Sequence, residues 1–97
     1  MKPDPSSLLT LAPGVRLQTD SLSGEPLLVF PEGVLFLNST AHDIVCRCDG
    51  TNSASQIISA MAQEYEASEG ELREDVLECL ENLLQRRLLI VRGRQPS

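Results

Sequence analysis

The side chains that could act as nucleophiles or metal ligands are one histidine and three cysteines among 97 residues. His42 is the only histidine, and the sequence places no nucleophile beside it that it could activate as a general base. Cys46 and Cys48 are separated by a single residue, a spacer shorter than that of zinc knuckles, and Cys79 does not complete a tetrahedral ligand set. The sequence also lacks a glycine-rich phosphate loop. These residues predict no enzyme, no metal site and no cofactor, and the cysteines are interpreted as small buried apolar side chains.

The overall composition is that of a small globular protein. Hydrophobic residues make up 41% of the chain, the mean hydropathy is −0.08, and no apolar run reaches the ~18 residues of a membrane helix. Residues 1–5 lack the basic-then-apolar pattern of a signal peptide, which predicts a cytoplasmic protein with reduced cysteines and no membrane partner. The formal net charge of −6 disfavours nucleic acid as a partner, because phosphate neutralisation supplies much of the affinity of nucleic-acid-binding proteins.

Three short strands are predicted in the first half of the chain. Residues 14–20 alternate apolar and polar side chains, which is the pattern of a half-buried strand. Residues 21–26 contain Ser, Gly and Pro and form a turn before a second strand over 27–30. Residues 31–33 make a short connection to a third strand over 34–37. The three strands are expected to pair as an antiparallel sheet.

The second half of the chain predicts three helices, each preceded by residues that cap a helix N-terminus. A short helix over 40–48 follows Asn, Ser and Thr side chains, all of which are good caps. Ser53 and Ser68 each stand three residues before Gln or Glu, which is the pattern of a capping box, and they open the second and third helices. The third helix ends near Arg87, and residues 88–91 form a last apolar run, either a short strand or a tail packed on the core.

Three strands followed by three helices resemble a winged helix-turn-helix, which is an α+β fold. The predicted organisation is a flexible N-terminal arm over 1–12, one domain over 13–91 and a flexible C-terminal tail over 92–97.

The third strand is expected to lie at an edge of this sheet. Its residues, Val34, Leu35, Phe36 and Leu37, contain no charge, no proline and no glycine, and a chain of this length has few strands with which to surround them. The free backbone groups of such an edge can receive an extended peptide as an additional strand. A second copy of the chain could use the same edge, which would give a homodimer.

The third helix carries more apolar surface than one core-facing stripe requires. At about 100° per residue, Leu77 and Leu84 lie beyond that stripe, with Arg73 near them. We expect Leu77, Leu84 and Leu80 to form the wall of a peptide groove and Arg73 to meet an acidic residue of the peptide. The alternative is that residues 88–91 or the N-terminal arm cover this flank.

The opposite face of the third helix is acidic. Its carboxylates are Glu71, Glu74, Asp75, Glu78 and Glu81. A recognition helix with this face would repel a phosphate backbone. A winged-helix DNA-binding regulator therefore remains only as an alternative, as does a cysteine-dependent metal or redox carrier.

The order and spacing of several short motifs resemble the family of coenzyme PQQ biosynthesis protein D. The resemblance covers residues 13–91, and its most specific part runs from Pro-Glu-Gly-Val through Leu-Asn-Ser-Thr-Ala to Cys-Asp-Gly. The matching segments are Gly14–Leu17, Pro31–Val34, Leu37–Asn38, Thr40–Ala41, Cys48–Gly50, Ile57–Ile58, Tyr65, Asp75–Val76 and Leu88–Leu89. Two positions depart from the family pattern: Arg87 stands where glycine is expected, and Ser53-Ala54 replaces Thr-Val.

The resemblance implies a peptide chaperone without catalytic activity. Members of this family bind the ribosomally made precursor peptide of pyrroloquinoline quinone and present it to a radical SAM enzyme, which crosslinks a Glu and a Tyr of that peptide. The same module serves as a leader-recognition element in other peptide-modifying systems, where the leader adds a strand beside the third strand and lies against the third helix. The peptide site implied here consists of Val34, Leu35, Phe36 and Leu37 with the helix residues Arg73, Leu77, Leu80 and Leu84.

Overall fold

A computed structural model describes residues 4–94 of the chain. This part of the chain contains six strands and three helices. In chain order they are β1 (Ser7–Leu11), β2 (Arg16–Thr19), β3 (Pro26–Phe30), β4 (Gly33–Phe36), α1 (Ser39–Cys46), β5 (Asp49–Ser53), α2 (Ala54–Glu64), α3 (Glu69–Gln85) and β6 (Leu89–Arg94). The fold is α+β, as predicted, and the winged-helix description is confirmed in outline.

Strands β2, β3 and β4 form one antiparallel sheet in that order, which confirms the predicted three-stranded meander. Leu28 of the central strand β3 pairs with Leu17 of β2 on one side and with Leu35 of β4 on the other. Leu28 is fully buried, and Leu17 and Leu35 pack against the same core. Because β3 is central, β2 and β4 are the two edges of this sheet.

The remaining strands form a second antiparallel sheet in the order β5-β1-β6. The prediction of a flexible arm over 1–12 is therefore wrong for Ser7–Leu11, which is the central strand of this sheet, with Leu9 fully buried. Leu9 pairs with Val91 and Leu8 with Ser53. Both partners are distant in the sequence, so no local pattern could reveal the pairing.

The C-terminal apolar run is a strand, which is one of the two forms predicted for it, and it extends further than predicted. Strand β6 continues through residues 92–94, so the prediction of a flexible tail over 92–97 is wrong for these three positions. Residues 95–97 lie outside the described residues.

The helices begin at capping residues that the sequence identifies. The side chain of Asn38 accepts a hydrogen bond from the backbone N–H of Ala41 at 2.8 Å. Ser53 and Gln56 form the predicted capping box, in which each side chain accepts from the other residue's backbone N–H. Ser68 accepts from the N–H of Glu71 at 3.2 Å and caps α3. Each bond satisfies a backbone donor that the first turn of a helix leaves free.

The C-terminus of α3 has the backbone conformation that suits the glycine expected at position 87 from the resemblance. Arg87 has φ +62°, a left-handed conformation that glycine adopts without cost. The N–H of Arg87 donates to the carbonyl of Leu84, and the N–H of Leu88 donates to that of Leu83, which is the Schellman pattern of helix ends. Leu83 and Leu88 are both buried, so the turn fixes where β6 begins.

We expect Arg87→Gly to stabilise the protein by about 1 kcal/mol, because it removes the clash of a Cβ in the left-handed region. The measurement is the free energy of unfolding in urea. The matched control is Arg86→Gly, because Arg86 has φ −81° and glycine should destabilise the helix end there. Equal effects of both substitutions would contradict this account.

Candidate functional site

The outer edge of β4 carries backbone groups that no other described strand takes up. The N–H of Leu37, just after β4, donates to the carbonyl of Pro26 at 3.0 Å. Backbone groups alternate in direction along an antiparallel strand, so Leu35 also faces β3, as its pairing with Leu28 requires. Val34 and Phe36 therefore direct their N–H and C=O groups away from the sheet, toward the side where a further strand would bind.

The side chains of β4 are divided in the same way between the core and the surface. Val34 is 54% exposed and Phe36 is 51% exposed, whereas Leu37 is buried and Leu35 packs against the core. An added strand at this edge would form hydrogen bonds with residues whose own apolar side chains are available for contact. The four strand residues that the sequence identified thus have two different roles: Val34 and Phe36 offer backbone groups, and Leu35 and Leu37 hold the strand on the core.

A groove runs between the β4 edge and α3, and we call it the β4–α3 groove. On the strand side it is lined by Leu35, Phe36 and Leu37, and on the helix side by Cys79, Asn82, Leu83 and Arg86. It continues past the end of β4, where the first turns of α1 face Asp75, Glu78, Cys79 and Asn82. The α1 residues of this part are Thr40, Ala41 and Ile44, preceded by Asn38. The strand side of the groove is therefore apolar, and its helical wall combines apolar and polar side chains.

The helix residues predicted for the wall are not the ones that line the groove. Leu80 is fully buried and Leu77 is 6% exposed, both within the hydrophobic core, and Leu84 is half-buried against that core. Arg73 is exposed but does not line the groove. The prediction of an open wall is wrong for Leu77 and Leu80, because the hydrophobic core of the protein itself covers these two side chains.

The residues that do line the groove lie on the other side of the α3 core stripe. At about 100° per residue, Asp75, Cys79, Asn82 and Arg86 form one row, roughly opposite Leu77. Their spacing is the i, i+4, i+7, i+11 pattern of one helix face. That pattern is present in the sequence, but only the packing of β4 against this side shows that the row faces a groove.

The three thiols have different environments. The Cys48 thiol is buried and donates to the carbonyl of Ile44, and burial raises its pKa to about 12. Burial also raises the pKa of the Cys79 thiol, which is half-buried in the groove wall. Cys46 is exposed on α1, and its Sγ lies 3.3 Å from Nε2 of His42. The prediction that the cysteines are buried small residues thus holds for Cys48 and is wrong for Cys46.

Polar contacts on the other side of α1 connect it to α2. Arg47 forms an ion pair with Glu64, and the hydroxyl of Tyr65 donates to Asp43. The hydrogen bond to Asp43 raises the pKa of Tyr65. These contacts fix the relative position of the two helices and lie outside the β4–α3 groove. Within residues 4–94, no three His, Cys, Asp or Glu side chains are grouped so that they could hold a metal ion.

The described part of the chain contains three helices. None of those within residues 4–94 is both long enough and apolar enough to cross a membrane.

Comparison with known proteins places the chain among peptide-binding relatives. Residues 25–89 match the family model of coenzyme PQQ synthesis protein D (PqqD). A PqqA binding protein of Xanthomonas euvesicatoria is 39% identical over 82% of this chain and 87% of its own length. A PqqA binding protein of Methylococcus capsulatus is 34% identical over 87% of this chain and 88% of its own length.

Solved structures of relatives share the fold. The PqqD part of Methylobacterium extorquens PqqCD, described as a stand-alone recognition element for ribosomally made, post-translationally modified peptides, aligns with a TM-score of 0.76 and 32% identity. The alignment covers 90% of this chain and 93% of that one. PqqD of Xanthomonas campestris aligns with a TM-score of 0.59 and 39% identity over 84% of this chain and 91% of its own. The resemblance noted in the sequence is confirmed, and the chain belongs to the PqqD family.

Proposed function

We propose that this protein is a peptide-binding adaptor of PQQ biosynthesis that receives the PqqA precursor peptide as an additional strand along β4. The observation that supports it most directly is the outer edge of β4, where Val34 and Phe36 direct their backbone groups away from β3 and Phe36 also lines the β4–α3 groove. Support also comes from the relatives, which are PqqA binding proteins, and from the recognition element of Methylobacterium extorquens.

The energetics of strand addition require the groove as well as the edge. Val34 and Phe36 each offer one N–H and one C=O, and each strand hydrogen bond contributes about 1 kcal/mol net. Micromolar binding needs about −8 kcal/mol, so apolar contact must supply much of the remainder. Alternate side chains of the peptide would face Leu35, Leu83 and Cys79 in the groove, where burial contributes about 25 cal/mol per Å².

We further propose that the bound peptide is presented to the radical SAM enzyme that crosslinks a Glu and a Tyr of the precursor. Strand addition supports this role, because β4 takes up one edge of the peptide backbone and leaves the other edge accessible. The adaptor itself contributes no catalytic group to the reaction.

A cysteine footprint tests the peptide site with an internal control. We expect saturating synthetic PqqA peptide to slow the alkylation of Cys79 at least fivefold, because the peptide covers the groove wall that contains this thiol. Cys46 is exposed and does not line the groove, so its alkylation rate should not change. The measurement is mass spectrometry of iodoacetamide-treated protein with and without peptide.

An NMR titration with the same peptide maps the site independently. Amide shifts should concentrate at residues 33–38 and on the row from Asp75 to Arg86. Binding without protection of Cys79, or shifts confined to the β5-β1-β6 sheet, would place the peptide elsewhere. If the β4 edge instead joins two copies of this chain, sedimentation of the free protein will show a dimer. Addition of the peptide will then leave this dimer unchanged.

A further inference from the structure

The β4–α3 groove carries opposite charges at its two ends. Asp75 and Glu78 face the end beside Asn38, where β4 has finished. Arg86 lies toward the other end, where it also borders a depression beside Pro31 at the β3–β4 turn. Strand β4 and helix α3 therefore run in opposite directions along the groove, and the α3 side chains that line it change from acidic at one end to basic at the other.

These charges are available to a ligand. None of Asp75, Glu78 and Arg86 has an ion-pair partner within residues 4–94. Arg86 donates through Nε to Asn82 at 3.0 Å, which holds the side chain on the groove side of α3. Glu32 and Arg87 also border the basic end, and the sum of the charges there remains positive.

We propose that this charge arrangement selects the peptide: the bound segment carries a cationic side chain near its N-terminal end and an anionic side chain about four residues later. The inference rests on the proposed function and specifies its substrate. The cation meets Asp75 and Glu78, and the anion meets Arg86. Complementary charges of this kind mainly determine specificity and register.

The order of the charges follows from strand direction. Antiparallel pairs are the more frequent and slightly the more stable kind, and β3 already pairs with β4 in this way. A strand antiparallel to β4 begins beside Asn38 and ends beside Gly33. Its N-terminal half therefore lies at the acidic end of the groove, and its C-terminal half lies at the basic end.

The spacing of the charges follows from helix and strand geometry. Glu78 and Arg86 are separated by roughly 12 Å along the helix axis, and Asp75 and Arg86 by roughly 16 Å, at 1.5 Å per residue. A strand advances ~3.4 Å per residue, so these separations correspond to about four or five residues. Side chains that face the groove recur at every second position, which selects the even spacing of four.

Charge reversal with a matched control tests the proposal. We expect Arg86→Glu to weaken binding of synthetic PqqA peptide at least fivefold in low salt, and the loss should shrink as salt is added, because screening weakens the lost attraction. Arg73→Glu makes the same change of charge on the same helix, outside the groove, and should alter affinity less than twofold. The measurement is isothermal titration calorimetry, with thermal melts to verify folding and Arg86→Gln as a second variant should Arg86→Glu fail to fold.

Rescue identifies the interacting residue of the peptide. Each Asp and Glu of PqqA is replaced in turn by Lys, and one replacement should restore binding to Arg86→Glu. A Lys or Arg about four residues before that position is then replaced by Glu, and this replacement should restore binding to the Glu78→Lys variant. Equal effects of Arg86→Glu and Arg73→Glu, or rescue in the reverse order of charges, would overturn the inference. If PqqA does not bind the wild-type protein at all, the proposed function fails instead.

Discussion

Replacing Val34 with proline will weaken PqqA binding at least fivefold while leaving the fold intact. The N–H of Val34 points away from β3, so proline removes a hydrogen bond to the bound peptide and none within the sheet. The carbonyl of the peptide that loses this donor remains unsatisfied, which costs about 1–3 kcal/mol. The measurement is calorimetric titration of the variant with PqqA peptide, combined with its thermal melting curve.

The matched control lies on the other edge of the same sheet. The backbone N–H of Asp20 donates to the carbonyl of Glu25 across the β2–β3 turn. By alternation, Thr19 directs its N–H away from β3, as Val34 does. Thr19→Pro should therefore change the stability of the protein by about as much as Val34→Pro does, and it should leave the peptide affinity unchanged. If both variants bind like the wild type, the peptide does not add to the β4 edge.

Replacing Leu9 with alanine will lower the free energy of unfolding by about 2–5 kcal/mol, which is the usual cost of removing a large buried side chain. The sequence-based prediction placed Leu9 in a flexible arm, but in the structure it has no exposed surface and lies in the core. Urea unfolding followed by circular dichroism measures the effect.

Leu22→Ala makes the same chemical change at a position that is 96% exposed in the β2–β3 turn, and its effect should stay within about 0.5 kcal/mol. A chain that starts at Pro13 lacks β1 altogether, and we expect it to be unfolded, because β5 and β6 then lose the strand that joins them. A Leu9→Ala variant as stable as Leu22→Ala would show that β1 does not contribute to the core.

Secondary-structure elements that depend on the types of residues close together in the sequence could be predicted. The meander β2–β3–β4 follows from alternation and turn residues over a short stretch, and its register pairs residues that are close in the chain. The helices follow from apolar periodicity and from the caps Asn38, Ser53 and Ser68, each of which binds a backbone N–H three residues later. Strand β5 has the sequence Asp-Gly-Thr-Asn-Ser, which shows no strand pattern. It is a strand because its backbone pairs with β1.

The candidate site was predictable on its strand side and not on its helix side. Val34 to Leu37 are recognisable as an edge strand from their lack of charge and from the small number of strands available. On α3, the apolar excess of Leu77 and Leu84 suggested an open surface, but a helix can be covered from more than one direction, and periodicity does not say from which. The polar row of Asp75, Asn82 and Arg86 has no such excess, so nothing in its composition marked it as a groove wall.

The sequence by itself determined the family, the helix caps, the meander and the unpaired character of β4, since each depends on residue types within a few positions of one another. Only the tertiary structure decided that the N-terminal segment is the centre of a second sheet and that β4 packs beside the polar side of α3. Both are contacts between segments far apart in the chain, and their formation depends on shape and burial of the whole core, which no local pattern records.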